Sequence, residues 1–468
     1  VTAPAPTAQR RRPSPGHPAA VVTVLCAAAF MAMLDVFVVN VAFTAIGADF
    51  AGASLPELSW VLNGYTIVYA ALLIPAGRLA DRYGRKGGFL AGLTVFTLAS
   101  AACAAAPSLW WLVAFRVLQA AGAALLTPAS LGLLLTCLPP ERRAGAVKVW
   151  ATTSSAAAAI GPVAGGALVQ LSWQWVFLIN LPVGVLVFAA AARLVPGARD
   201  RAVTRLPDLP GAALLAAAVG AAALGLVQGG AWGWTDPRTA GVFAGAALAA
   251  GWLVLRVLRH PAPVVDPALF RVPAFVGANA TVLVFCTAFG AVFPSVVLRL
   301  EDSAGYSAIG TGLAIMPGPL MVPVFAVAGQ RLARRVPVRA VVALGNLLFC
   351  AGALLLAAGA APEVRYATQI LPGWLVIGAG IGLAMPSMIA AATAGLPPAQ
   401  AATGSAVVNT GRQIGYVLGV AALTAVIGTI GLSPGDAEAA FRDGWWLIAL
   451  AAALSAVTAL GITTGRAS

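Results

Sequence analysis

The sequence predicts an all-α integral membrane protein of fourteen spanning helices, arranged as two six-helix bundles with two additional helices between them. Three observations carry that prediction. Of the 468 residues, 60% are apolar and the mean hydropathy is +0.92, more apolar material than a water-soluble domain with a polar outer face can hold. It falls in runs of about 20 residues, the length of a helix across a hydrocarbon core of about 30 Å, and lacks the alternation of outer-membrane strands. Charged residues, only 9% of the chain, gather in short segments between the runs.

Residues 1–18 form a Pro/Ala/Arg tail with Arg10, Arg11 and Arg12. The apolar run that follows continues from Ala19 through Asp35 and Asn40 to about Ala45, too long and too polar at its far end for a secretory signal core. It reads as the first spanning helix. The remaining spans fall near 57–78, 87–106, 108–138, 147–170, 175–193, 210–229, 239–257, 274–298, 307–330, 340–361, 367–394, 402–431 and 444–464. An N-terminal bundle over 19–195, a linker with two plain Ala/Leu/Gly helices over 196–273 and a C-terminal bundle over 274–468 result. DPALFRVPAF, Asp266 to Phe275, is expected to lie on the membrane surface.

Positive charge sets the orientation. Only Arg238, Arg299, Arg365 and Arg442 fall in predicted outer segments, and Arg116 and Arg412 within helices; the rest of the 28 lysines and arginines fall on the side of the termini. Both termini are therefore expected in the cytoplasm of a cell (inner or plasma) membrane protein. This placement accounts for the net charge of +13 through contact with an anionic inner leaflet, and no nucleic-acid partner is expected. The densest cluster is GRLADRYGRK, where Gly77, Arg78, Asp81, Arg82, Gly84, Arg85 and Lys86 make a charge-rich turn suited to latch two helices at the inner face. RLARRVPVR, Arg331 to Arg339, is its weak second copy, with Arg334 in place of Asp81 and Pro337 in place of Gly84.

Polar residues inside the runs carry the chemistry. Of the fifteen acids, Asp35 alone lies in a predicted span. Its insertion costs about 2.5–3.5 kcal/mol, and burial favours capture of a proton, so it reads as a proton carrier or as a structural partner for a buried arginine. Arg116 is the available partner, with Gln119 one turn later. AIGPVAGG, Ala159 to Gly166, places Gly161 and Gly165 on a close-packing face, with Pro162 as a bend and Gly166 widening the groove; it reads as a tight interface or a hinge. Asn409, Arg412, Gln413 and Tyr416 form one stripe of the thirteenth helix, lining a cavity or bonding to neighbouring helices. The five cysteines all lie in apolar runs without a Cys-x-x-Cys pair, so free thiols and no metal site are expected.

Together these segments resemble a major facilitator superfamily transporter of the fourteen-helix drug:proton antiporter family. GRLADRYGRK is similar to that superfamily's loop between helices two and three, LVAFRVLQAAGAA (Leu112 to Ala124) to its fourth-helix arginine motif, and IGPVAGG to its fifth-helix antiporter motif. MLDVFVVNVA (Met33 to Ala42) and WQWVFLINLPVG (Trp173 to Gly184) resemble the first-helix motif and the start of the sixth helix in the fourteen-helix branch. Gln174 and Ala120 depart from the usual arginine and glycine of these motifs. The resemblance implies two bundles rocking about a central cavity, with Asp35 and Arg116 coupling proton uptake to export and the Gly77–Lys86 segment latching the inner side. It also implies a cavity lined by Asn40, Trp60, Tyr65, Gln119 and the stripe on the thirteenth helix.

The expected function is proton-coupled export of a small amphipathic or lipophilic drug-like compound or natural product, by a monomer that uses the proton gradient and no cofactor. A proton-coupled symporter or a uniporter for a nutrient or siderophore is the alternative. A membrane enzyme fits less well, since one buried acid without a buried histidine supplies no nucleophile–base set. Substrate charge stays open: a lone cavity acid suits a lipophilic cation, whereas Arg412 with Trp60 or Tyr65 suits a neutral or anionic aromatic compound.

Overall fold

Each apolar run closes its backbone hydrogen bonds internally as a helix, because a bilayer offers no other partners for the peptide groups. The computed structural model describes residues 18–50, 52–197, 207–261, 263–361, 363–394, 396, 400–428 and 434–462. The basic tail before Pro18 lies outside them, as does most of the segment between the N-terminal bundle and the linker helices.

The first bundle consists of α1 (Pro18–Val41), α2 (Leu55–Tyr83), α3 (Arg85–Ala104), α4 (Leu109–Cys137), α5 (Pro140–Val169) and α6 (Trp175–Leu194, with a break at Ile179). The linker helices are α7 (Leu209–Trp232) and α8 (Pro237–Arg259). The second bundle consists of α9 (Pro273–Leu298), α10 (Ala308–Leu332), α11 (Val338–Ala358), α12 (Tyr366–Ala394), α13 (Ala401–Ile427) and α14 (Pro434–Ala459). Among the described residues thirteen of these are apolar over a membrane-length stretch, while in α5 the apolar part is the shorter Ala156–Val169. Hydropathy places the start of α5 near 147, but the helix begins at Pro140 and carries Glu141, Arg142, Arg143 and Lys148 on its first turns. A proline at the first helical position fits that start.

The halves meet along two helix pairs, α2 with α13 and α5 with α10. The linker helices extend the first of these seams. Ile67 of α2, Val219, Ala223 and Val227 of α7, and Val417 and Ala421 of α13 form one apolar cluster, so α7 packs on both halves, whereas α8 packs on α7 and faces outward. The stretch after α8 differs from a surface-lying segment. Asp266 caps a short 3₁₀ turn, Pro267–Arg271, and Val264 and Leu269 are fully buried in the core with Phe275. Phe270, Arg271 and Pro273 are exposed, so the stretch lies at the surface on one side and tucks Leu269 under the bundle on the other before α9 begins.

Contacts between the halves concentrate at the end opposite the arginine-rich loops. There Phe37 of α1 meets Phe293 of α9 edge to face at 5.7 Å, and Thr44, in the short helix Phe43–Asp49, donates a hydrogen bond to Glu301. Toward the arginine-rich end, Thr152 of α5 and Ser405 and Asn409 of α13 are exposed. The halves are thus joined at one end, and these polar side chains are exposed toward the other.

Candidate functional site

Asp35 and Arg116 are each 1% exposed, a burial that would destabilise either charge by several kcal/mol if it stood alone. The fold brings them together. Arg116 Nη1 donates to Asp35 Oδ2 at 2.5 Å, while Gln119 Nε2 and Asn180 Nδ2 donate to Asp35 Oδ1 at 2.8 and 2.9 Å. Arg116 also donates through Nη1 to Gln119 Oε1 at 2.6 Å and through Nε to the Val61 carbonyl at 3.3 Å. Its guanidinium lies 4.1 Å from the Tyr65 ring centre and 5.8 Å from that of Phe177, a cation–π geometry that replaces part of its hydration. Ser100 Oγ accepts from Gln119 at 2.8 Å and donates back to the Phe96 carbonyl of its own helix. Three side-chain donors thus converge on the two oxygens of Asp35, with acceptor capacity left on Oδ2.

Asn180 and Ser100 were not among the residues singled out by sequence. Uncharged polar residues in spanning helices commonly bond to a carbonyl four residues back, so they carry no signal of a shared site. Asn180 escapes that pattern because it opens the longer segment of α6, just after the break at Ile179. Gln119, Tyr65, Asp35 and Arg116, all named from sequence, do lie together.

The AIGPVAGG stretch sits between α1 and α10. A first side-chain carbon on Gly161 would lie 2.6 Å from Phe37 Cβ, and one on Gly165 would lie 3.0 Å from the Val38 carbonyl oxygen. Gly166 turns the other way, where a side chain would overlap the Ala308 carbonyl of α10. Gly312 reciprocates on the Pro162 carbonyl. Backbone thus meets backbone at the closed end, as small-residue faces permit.

The charge-rich segment is not the turn that its composition suggests. Helix α2 continues through Gly77, Arg78, Asp81 and Arg82 to Tyr83, α3 starts at Arg85, and Gly84 alone breaks the path with φ 120°, a value that disfavours any side chain. Asp81 pairs with Arg85 at 2.5 Å. Arg85 also donates to the Gly132 carbonyl at 3.0 Å, Lys86 to the Ala192 carbonyl at 2.8 Å, and Arg78 to the Pro263 carbonyl at 2.9 Å. These bonds tie α2 and α3 to α4, α6 and the linker.

On α13, Arg412 Nη1 donates to Asn409 Oδ1 at 3.1 Å, and Tyr416 meets Phe289 of α9 at 5.3 Å. Gln413 is half-buried beside them. Gly415 and Gly419 approach the Leu283 and Thr287 carbonyls of α9, and Thr410 donates to the Ala70 carbonyl of α2 at 3.3 Å across the halves. Asn40 bonds to the Val36 carbonyl of its own helix at 2.7 Å. Trp60 packs against the apolar seam of α2, α7 and α13.

Three charged residues assigned to aqueous segments prove sheltered. Arg299 is 2% exposed, donates to the Ala361 carbonyl and covers Phe441 at 5.4 Å. Glu301 is half-buried at the closed end with Thr44. Asp208, at the start of α7, accepts from Gly211 N at 2.9 Å and from Arg256 Nε at 2.7 Å. Burial of Asp208 raises its carboxyl pKa, but the Gly211 amide and the Arg256 guanidinium outweigh that and hold it below the usual value. The cysteines are free, and no cluster of metal-ligating side chains occurs among the described residues.

Two helical halves joined across α2–α13 and α5–α10, one of them holding a fully buried ion pair, have the architecture of a membrane transporter. The chain belongs to the Major Facilitator Superfamily, whose sequence profile matches residues 25–420. It is 36% identical over 415 residues to a methylenomycin A resistance protein of Streptomyces coelicolor, covering 87% of this chain and 85% of that one. A cephamycin export protein of Amycolatopsis lactamdurans is 34% identical over 447 residues, covering 93% and 90%. A tetracenomycin C resistance and export protein of Streptomyces glaucescens is 34% identical over 437 residues, covering 92% and 78%. Among solved structures, a POT family transporter in complex with 5-aminolevulinic acid superposes with a TM-score of 0.69 at 15% identity, covering 94% and 95%; this likeness concerns the fold.

Proposed function

We propose that this chain is a proton-coupled exporter of small drug-like compounds or natural products, working as a monomer in the cell membrane with both termini in the cytoplasm. Kinship with antibiotic resistance and export proteins supports export. The observation that carries proton coupling is the buried Asp35–Arg116 pair, enclosed by Gln119 and Asn180. A carboxylate held by three side-chain donors is a two-state element: ionised, it binds Arg116; protonated, it releases that arginine and the helix that bears it.

With the arginine-rich end on the cytoplasmic side, exposure of Thr152, Ser405 and Asn409 there supports an inward-facing state. Substrate enters the open space from the cytoplasm or inner leaflet. The α5–α10 contact through Gly161, Pro162, Gly165 and Gly166 then parts to open the outer end, while Asp81 and its neighbouring arginines hold the inner end shut. Proton uptake by Asp35 from outside returns the protein to the inward-facing state. Accumulation of fluorescent dyes and antibiotics in an efflux-deficient host tests the reading. Expression should lower accumulation, and a protonophore should restore it. Equal accumulation with and without the protein across the panel would defeat export of those compounds.

A further inference from the structure

The two membrane-buried arginines that face the interior differ in one respect. Arg116 is neutralised by Asp35, and that carboxylate, 1% exposed with both oxygens engaged, presents no charge to the central space. Arg412 is half-buried, and among the described residues no carboxylate pairs with it. Its Nη1 is occupied by Asn409, whereas Nε is buried without a hydrogen-bond partner. Hydrogen bonds also join the guanidinium to Tyr416 and Cys286, so what is left to receive an anion is a cation that has polar neighbours but no carboxylate partner. Around it stand Tyr416, Cys286 and, from the other half, Tyr69. Phe289 packs on Tyr416 at 5.3 Å.

A guanidinium stays charged at any physiological pH, and one at this depth seeks an anion or water. Arg412 lies about 16 Å along α13 from its cytoplasmic start, at 1.5 Å per residue, and so within the membrane rather than at its surface. Exposure of Ser405 and Asn409 on the same helix leads from the cytoplasmic side toward it.

We infer that the exporter takes amphipathic carboxylates: the guanidinium of Arg412 receives the carboxylate, and Tyr416, Phe289 and Tyr69 hold an aromatic or lipophilic body. This rests on the export reading and narrows its substrate class. An anion leaving and protons entering both carry charge in the direction favoured by an inside-negative potential, so the membrane voltage drives such an exchange as well as the pH gradient.

The test is equilibrium binding of three fluorescent probes that share one body, 1-pyrenebutyrate, 1-pyrenebutanol and pyrenebutyl-trimethylammonium, to the purified full-length protein in nanodiscs. Wild type should bind the carboxylate at least about tenfold more tightly than the alcohol or the ammonium, as expected for a hydrogen-bonded charge pair. Arg412→Gln should remove that preference while changing alcohol binding less than about threefold, and Arg412→Lys should restore part of it. Absence of carboxylate preference in wild type, including failure to bind any of the probes, overturns the inference without recourse to a variant. So does an equal loss of all three ligands in Arg412→Gln. Export is scored separately in cells: carboxylate-selective binding without efflux would sink the export reading alone, whereas efflux of neutral or cationic dyes without such binding would sink this inference alone.

Discussion

Asp35 holds three side-chain donors on two oxygens, and the residue that sequence did not single out, Asn180, is the one whose removal isolates its contribution. Asn180→Leu deletes a donor from a charged acceptor, about 1.5–3 kcal/mol, without touching Arg116. The variant should remain folded, with proton-driven efflux reduced while Arg116 stays paired; undiminished efflux would reduce Asn180 to packing. A second residue-scale prediction concerns Asp208, which caps α7 and pairs with Arg256. Because its folded pKa is lowered, its stabilisation is present above the unfolded carboxylate value, about 4, and lost as pH falls through the lowered folded value. Asp208→Asn should therefore cost about 1–2 kcal/mol near pH 7, and thermal melts of variant and wild type should converge only in strong acid.

At the scale of elements, hydropathy found the spans but not their full extent. Helix α2 runs to Tyr83 rather than ending near 78, and α5 begins at Pro140, because a helix that leaves the bilayer can continue in water on charged residues that no hydropathy window counts. The ion pair was legible for the opposite reason: Asp35 and Arg116 are charges where charge is costly. The glycines of AIGPVAGG were legible as close-packing positions, but their division between α1 and α10 was not, since spacing alone does not say which neighbour each one meets. That division makes a prediction. Gly166→Val would place a side chain into the Ala308 carbonyl and force α5 from α10. Spin labels at the exposed positions Leu171 and Tyr306 should report a longer mean distance in the variant than in wild type, together with loss of transport. An unchanged distance would show that this contact does not set the closed end.

At the scale of the molecule, closure alternates between the two ends. In this state Asp81 is engaged with Arg85 on the N-terminal side, and the second copy of the motif offers Arg334 where the first has Asp81, so the proposed inner latch would be asymmetric. Asp81→Asn should leave folded protein in the membrane and reduce efflux to background, seen as dye accumulation equal to that of cells without the protein. Undiminished efflux would make the segment an ordinary cytoplasmic connection. The linker helices pack through α7 on both α2 and α13, along one of the two seams where the halves meet. Their plain Ala/Leu/Gly composition gave no hint of that position, because apolar packing against lipid and against protein read alike in sequence.

The central claim is that a proton on Asp35 drives export. Proteoliposomes with an imposed pH gradient test it most directly, by recording proton movement on addition of a transported compound for wild type and Asp35→Asn. Wild type should show compound-dependent proton flux and uphill transport; Asp35→Asn, which cannot gain or lose a proton, should show neither while still binding the compound. Full proton-driven transport by Asp35→Asn would contradict the account.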